Sequence, residues 1–218
     1  MIKMTQDKFL ESIQLKDYDK EKFIQLIINE PFFLDLAVDS MINHKKIMIY
    51  YHCYEVLKEA VKLKVTVFLK YKNNFIRLLS HSNSYHRDFG LTLLGQITSQ
   101  CSEINFKEFS SAFLKCINDE KLMTSQCCLN SLNLIIKARP EYTDFILKYL
   151  LDPNNFQTYK QKAQELLYSD VIPCLMSAYQ KGFQKTAIEA YLIARSKSSS
   201  PKTKKLAKQS LEIIQKKA

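Results

Sequence analysis

Glycine is nearly missing from this chain: three residues in 218, beside five prolines. An all-β fold needs a turn roughly every 8–12 residues, so so few turn formers exclude one. They also leave no room for a glycine-rich loop that cradles phosphate. Tryptophan is absent altogether. The six cysteines (Cys53, Cys101, Cys116, Cys127, Cys128, Cys174) make no C-x-x-C pair, and the four histidines (His44, His52, His81, His86) make no H-x-x-x-H. The spacing that zinc ligands need is therefore missing. Neither a P-loop, a dinucleotide fingerprint, H-E-x-x-H nor G-x-S-x-G occurs. No catalytic, metal or cofactor-binding residue is assigned, no cofactor is expected, and the chain is read as no enzyme.

Long apolar runs are also lacking. The longest uncharged stretch, Leu122 to Ile136, is interrupted throughout by Thr, Ser, Gln and Asn, whereas a membrane helix needs about 20 mainly apolar residues. The start, Met1 to Leu10, has no apolar core of a signal peptide and no small-residue cleavage site. Several cysteines fall on apolar helical faces, where a reduced thiol behaves as a small hydrophobe. A cytoplasmic protein with no membrane association is expected.

What is present is an ordinary globular balance, 46% hydrophobic and 25% charged, with a net charge of +10. The charge is uneven. Residues 1–60 carry 8 basic and 10 acidic side chains, residues 61–140 carry 11 and 5, and residues 141–218 carry 13 and 7. The last 24 residues hold eight Lys or Arg against one acid, Glu212.

One pattern recurs five times: a compact residue followed four positions later by Leu. The pairs are Cys53 with Leu57, Gly90 with Leu94, Cys128 with Leu132, Ala163 with Leu167, and Ala207 with Leu211. Around the second copy, His86, Phe89, Gly90, Leu93, Leu94 and Ile97 fall on one helix face. Thr124, Cys127, Cys128, Ser131, Leu132 and Ile135 repeat that template, as do Thr203, Leu206, Ala207, Ser210, Leu211 and Ile214. The compact residue lets a neighbouring helix approach, and the leucine fills the space one turn on. Each such helix follows another amphipathic stretch, for example Phe109, Ala112, Phe113, Cys116 and Ile117. Pro140 and Pro201 suit a first helical turn, with Ser200 as N-cap, and Asp152-Pro153-Asn154-Asn155 reads as a turn.

The stretch His81 to Gly95 resembles the signature of the HEAT/ARM helical repeat family. Arg87, Gly90, Leu94 and Gly95 occupy matching positions. The likeness covers residues 20–217 and is greatest to small stand-alone prokaryotic-type HEAT proteins. It implies an all-α fold, a right-handed superhelix of about five helix pairs, over a single domain 1–218. The copies centre near 53, 90, 128, 163 and 207, and residues 196–218 form a basic capping helix. The Arg position holds Tyr50, Ser125, Lys160 and Lys204 elsewhere, so the Arg–Asp ladder of many family members is not expected here. Some HEAT-like proteins are DNA glycosylases that present Trp and Asp on the concave face; without Trp that activity does not carry over. Between Ala163 and Ala207, Val171 to Met176 either extends the preceding helix past Pro173 or forms an extra short helix. Residues 1–19 are a leading helix or a loose cap.

In such a stack the second helix of each pair usually lines the concave binding surface. The candidates there are Tyr50, Tyr51 and Tyr54, then Arg87 (expected exposed) and Asp88, then Gln126 and Asn130, then Lys160, Gln161 and Gln164. The first expectation is a scaffold for a protein partner, acting as a monomer. The second is a nucleic-acid module in which Lys62, Lys64, Lys70, Lys72, Arg77 and Arg87 converge with the C-terminal lysines. No motif identifies the partner.

Overall fold

The computed structural model describes residues 4–216, which contain no strand. The chain divides into two compact units, Met1–Leu78 and Leu79–Ala218. The first holds α1 (Gln6–Ile13), α2 (Lys20–Asn29), α3 (Pro31–Asn43), α4 (Ile47–Leu63) and α5 (Lys72–Leu78). The second holds α6 (Ser84–Gln100), α7 (Ser110–Lys115), α8 (Leu122–Ala138), α9 (Thr143–Leu150), α10 (Gln161–Gln180), α11 (Lys185–Arg195) and α12 (Pro201–Gln215). No helix is long and apolar enough to cross a bilayer.

In the first unit α1, α2 and α3 all pack on α4. Phe9 meets Phe23 edge-on and Phe33 face-on, with ring centroids 5.0 and 5.5 Å apart. Residues 1–19 supply a true leading helix from Gln6, capped by Thr5. It is pinned where His52 Nδ1 donates to the Ile13 carbonyl at 2.6 Å. The Tyr18 ring stacks on His52, and its hydroxyl donates to Glu55 at 3.2 Å. Burial pushes the Tyr18 phenol well above its ordinary value.

In the second unit α6 packs on α8, α8 on α10, and α10 on α12, while α9 and α11 lie against the helices on either side of them. α6 and α8 come close at Gly95: a Cβ added there would stand 2.7 Å from the Ser131 Cβ on α8.

The repeat register can be read from burial. Cys53, Gly90, Cys128 and Ala207 are each the seventh residue of their helix and are buried. Ala163 is not in that place: it is half-buried, near the start of α10. The buried stripe of α10 is Leu167, Val171, Cys174, Leu175 and Ala178, which matches Thr124, Cys128, Ser131, Leu132 and Ile135 of α8. Val171 therefore holds on α10 the place that Cys128 holds on α8. α10 begins about one turn early, and Val171 escaped the pattern because it is larger than the compact residues that define it. Of the two forms open for Val171 to Met176, the continuous helix is found, with Pro173 inside it.

Hydrogen bonds between pairs recur at about one repeat length. Ser177 Oγ donates to Asn133 Oδ1 (2.8 Å), Thr203 Oγ1 to the Glu165 carbonyl (2.6 Å) and Asn118 Nδ2 to Asn155 Oδ1 (2.9 Å). The C-terminal ends of the second helices are bound the same way. Arg139, just past α8, donates to the carbonyls of Thr98 (3.1 Å) and Cys101 (2.7 Å) at the end of α6. Lys181, just past α10, donates to those of Ile136 (3.1 Å) and Lys137 (2.6 Å) at the end of α8. In the first unit Lys64, just past α4, reaches the Ile28 carbonyl at the end of α2 (3.4 Å). A cation placed on orphan C-terminal carbonyls satisfies them and complements the helix dipole.

All six cysteines are free. Burial pushes the Cys116 and Cys174 thiols up to about 12 and Cys128 well above its usual range. Cys128 and Cys174 instead donate to the carbonyls of Phe113 (3.3 Å) and Leu129 (3.2 Å).

Candidate interaction face of the second helices

The second helices of the Leu79–Ala218 unit each keep one stripe out of the core. On α6 it holds Tyr85, Asp88 and Thr92. On α8 it holds Met123, Gln126, Cys127, Asn130 and Leu134. On α10 it holds Leu166, Asp170 and Pro173, and on α12 Lys202, Lys205, Leu206, Gln209 and Ile213. The i, i+3, i+4, i+7 spacing places each set on one side of its helix.

Lateral bonds tie these stripes into a continuous face. Cys127 Sγ lies 3.2 Å from Thr92 Oγ1 and donates to the Asp88 carbonyl at 3.4 Å. Gln126 Nε2 donates to Asp170 Oδ2 at 2.6 Å, and Lys202 Nζ sits 3.3 Å from Asp170 Oδ1. Asp170 thus links α8, α10 and α12. Burial raises the Asp88 carboxyl above its ordinary range, opposed by the Thr124 hydroxyl beneath it.

Large apolar side chains are exposed where the fold does not require them. Tyr85 is 54% exposed, Met123 67%, Leu134 44% and Ile213 45%. Tyr85 and Met123 are each the second residue of their helix. So is Met48 on α4, itself 43% exposed. A position that needed only solvation would carry a polar residue; here three successive copies carry a large apolar one.

The residues singled out from sequence divide. Tyr50 is buried at 6% exposure, while Tyr51 is exposed and Tyr54 half-exposed on α4, their rings 6.2 Å apart. Arg87 is 7% exposed, which corrects the exposed position expected for it. Its Nε and Nη2 donate to the two carboxylate oxygens of Asp119, both at 2.7 Å, and Nη1 donates to the carbonyls of His81 (2.8 Å) and Ser82 (3.2 Å). Asp119, with Glu120 beyond it, raises the guanidinium pKa still further. One rung of an Arg–Asp ladder is therefore present. At the matching place on α8, Ser125 Oγ meets Tyr159 Oη at 2.9 Å, and the Tyr159 hydroxyl donates to the Asp119 carbonyl.

Asp88, Gln126 and Asn130 do lie on the outward face. Lys160 is the N-cap residue of α10 and exposed. Gln161 and Gln164 sit roughly 180° and 120° around α10 from Asp170, so neither joins that stripe. Their placement follows from the register set at Ala163. Tyr85, Met123 and Asp170 were not singled out. The signal for the first two was available: large apolar residues off the buried stripe, at the same place in consecutive copies.

Of the cations considered for nucleic acid, Lys62 pairs with Glu59 (2.6 Å), Lys70 with Asp35 (2.8 Å) and Arg87 with Asp119. Among the described residues, no group of three His, Cys, Asp or Glu could hold a metal ion.

No family model and no curated protein matches this sequence. Its structure is similar to two crystal structures of engineered proteins from the Northeast Structural Genomics Consortium. The first has a TM-score of 0.55 at 14% identity, covering 95% of this chain and 90% of that one. The second has a TM-score of 0.51 at 14% identity, covering 98% of each. The likeness is one of fold alone.

Proposed function

We propose that this chain is a HEAT-like stack of helix pairs that binds a protein partner along the outward face of its second helices, without catalysis. The observation that carries this is the repeated exposure of Met48, Tyr85 and Met123 at the second residue of α4, α6 and α8. Beside Tyr85 and Met123 the stripes of α6, α8 and α10 carry amides and carboxylates, among them Asp88, Gln126, Asn130 and Asp170. An exposed aromatic or Met anchor with hydrogen-bonding neighbours is the composition of a protein interface. In the Leu79–Ala218 unit Tyr85 and Met123 offer two such anchors on consecutive second helices, as helical repeats do. Six free cysteines suit a reducing compartment, the cytoplasm.

The alternative is a nucleic-acid module using a basic surface in the C-terminal two thirds. It is favoured by the exposed lysines of α12. It is opposed by the engagement of Arg87 with Asp119 and of Lys202 with Asp170.

A photo-crosslinking side chain placed at Met123 tests the proposal. It should trap protein adducts in cell extract, whereas the same group at Ala112, exposed on α7, should not. Equal trapping at both positions, or adducts with nucleic acid, would contradict it. A salt titration with duplex DNA separates the alternative, because phosphate contacts weaken steeply as salt rises.

A further inference from the structure

We propose that the outward stripe of α12 is a docking seam for an acidic amphipathic helix of the partner; this rests on the proposed protein-binding function and adds the partner's chemistry. The stripe runs Lys202, Lys205, Leu206, Gln209, Ile213 and Lys216. The fourteen steps from Lys202 to Lys216 at 1.5 Å each give a seam of about 21 Å, roughly four turns of a partner helix. Leu206 and Ile213 stand one heptad apart along its centre, half-exposed and 45% exposed. Lys205 and Lys216 flank them, as charges flank the apolar seam of a helix pair.

Apart from Lys202, the charge of this seam is not answered among the described residues. Lys62, Lys70, Arg87 and Arg139 each lie against a carboxylate. Among the described residues, Lys204, Lys205, Lys208 and Lys216 have no ion-pair partner, and Glu212 is the one acid on α12. Only Lys202 is engaged, and its partner Asp170 joins the seam to the rest of the face.

A cap that needed only water would not keep Ile213 among lysines. A phosphate-binding surface would favour arginine for its two-point fork, and single strands would favour aromatic platforms. α12 has neither arginine nor an aromatic residue. Apolar residues rimmed by lysine fit a helix with an apolar face edged by glutamate.

The test uses the full chain and a fluorescent peptide of about 20 residues with Leu on one helical face and Glu beside it. Fluorescence anisotropy should show saturable binding, weaker for an oligoglutamate of equal charge. Lys205→Glu with Lys216→Glu should weaken the peptide about tenfold or more, and Ile213→Ser about threefold or more. Lys107→Glu, on the exposed surface before α7, should leave affinity unchanged. Each variant is checked for an unaltered melting temperature. Three results would overturn the seam: no peptide binding, equal binding of oligoglutamate with no effect of Ile213→Ser, or tighter binding of a DNA duplex than of the peptide. Tyr85→Ala with Met123→Ala should leave the probe's affinity unchanged, so the α6–α8 anchors and the α12 seam stand or fall separately.

Discussion

Arg87 on α6 grips Asp119 at two points, Nε to Oδ2 and Nη2 to Oδ1, both at 2.7 Å and across 32 residues of sequence. Both side chains are 8% exposed. Removing one partner leaves the other charge buried alone. Arg87→Ala should cost about 3–5 kcal/mol of unfolding free energy, measured by urea titration. Arg87→Lys keeps the charge and loses the fork, so an intermediate loss is expected. A loss below about 1 kcal/mol for the alanine variant would mean the pair is no stronger than an exposed one.

The contact at Gly95 makes a paired prediction. Gly95→Ala forces a methyl to within 2.7 Å of the Ser131 Cβ, and overpacking of this kind costs about 1–3 kcal/mol. Ser131→Gly should rescue part of that loss in the double variant, although alone it destabilises α8. Ser131→Ala removes only the Oγ at 3.1 Å and keeps the closer Cβ, so it should rescue less than Ser131→Gly. Thermal unfolding of the four proteins measures the coupling, and strict additivity would show that the helices yield without strain.

Arg139 and Lys181 perform one task with different reach. Arg139 holds two carbonyls at the end of α6 and also the Tyr142 hydroxyl at 3.2 Å. Replacing it by Met should cost about 1.5–3 kcal/mol, the range for hydrogen bonds to a charged group. Lys181→Met should cost less, since that side chain is largely solvated. Reversal of this order in denaturant unfolding would argue against the cap as the source of stability.

The buried thiols set an alkaline limit. Cys116 and Cys174 are held up to about 12 against an ordinary 9.0. Below pH 9 both folded and unfolded chains keep these protons, and the contribution is complete. Above it the unfolded chain ionises first, so stability declines as pH rises towards 12. Cys116→Ser with Cys174→Ser should flatten that decline. Iodoacetamide at about pH 8, where thiolate is the reacting form, should modify half-exposed Cys127 and spare Cys53, Cys116, Cys128 and Cys174 until the chain unfolds.

Helix content was legible because it depends on local periodicity. Cys53, Gly90, Cys128 and Ala207 stand at one helical place for that reason. The fourth copy was misplaced because Ala163 and Leu167 also make a compact-then-leucine pair, while Val171, which holds the place of Cys128, is not compact. Burial of Arg87 was not legible: its partner Asp119 lies in a loop one repeat on, and nothing local marks it. The capping cations were visible as a recurrence, Lys64, Arg139 and Lys181 just past their helices, but their carbonyl targets belong to the preceding pair. Of the candidate face, Asp88, Gln126 and Asn130 were found by counting off the buried stripe. Asp170 was hidden by the register error.

Whether the exposed apolar residues of the second helices bind a protein is read from affinity for the partner trapped at Met123. Tyr85→Ala with Met123→Ala, at an unchanged melting temperature, should weaken that partner by about 2 kcal/mol or more, the scale of an interface hot spot. Unchanged affinity in the double variant would contradict the account.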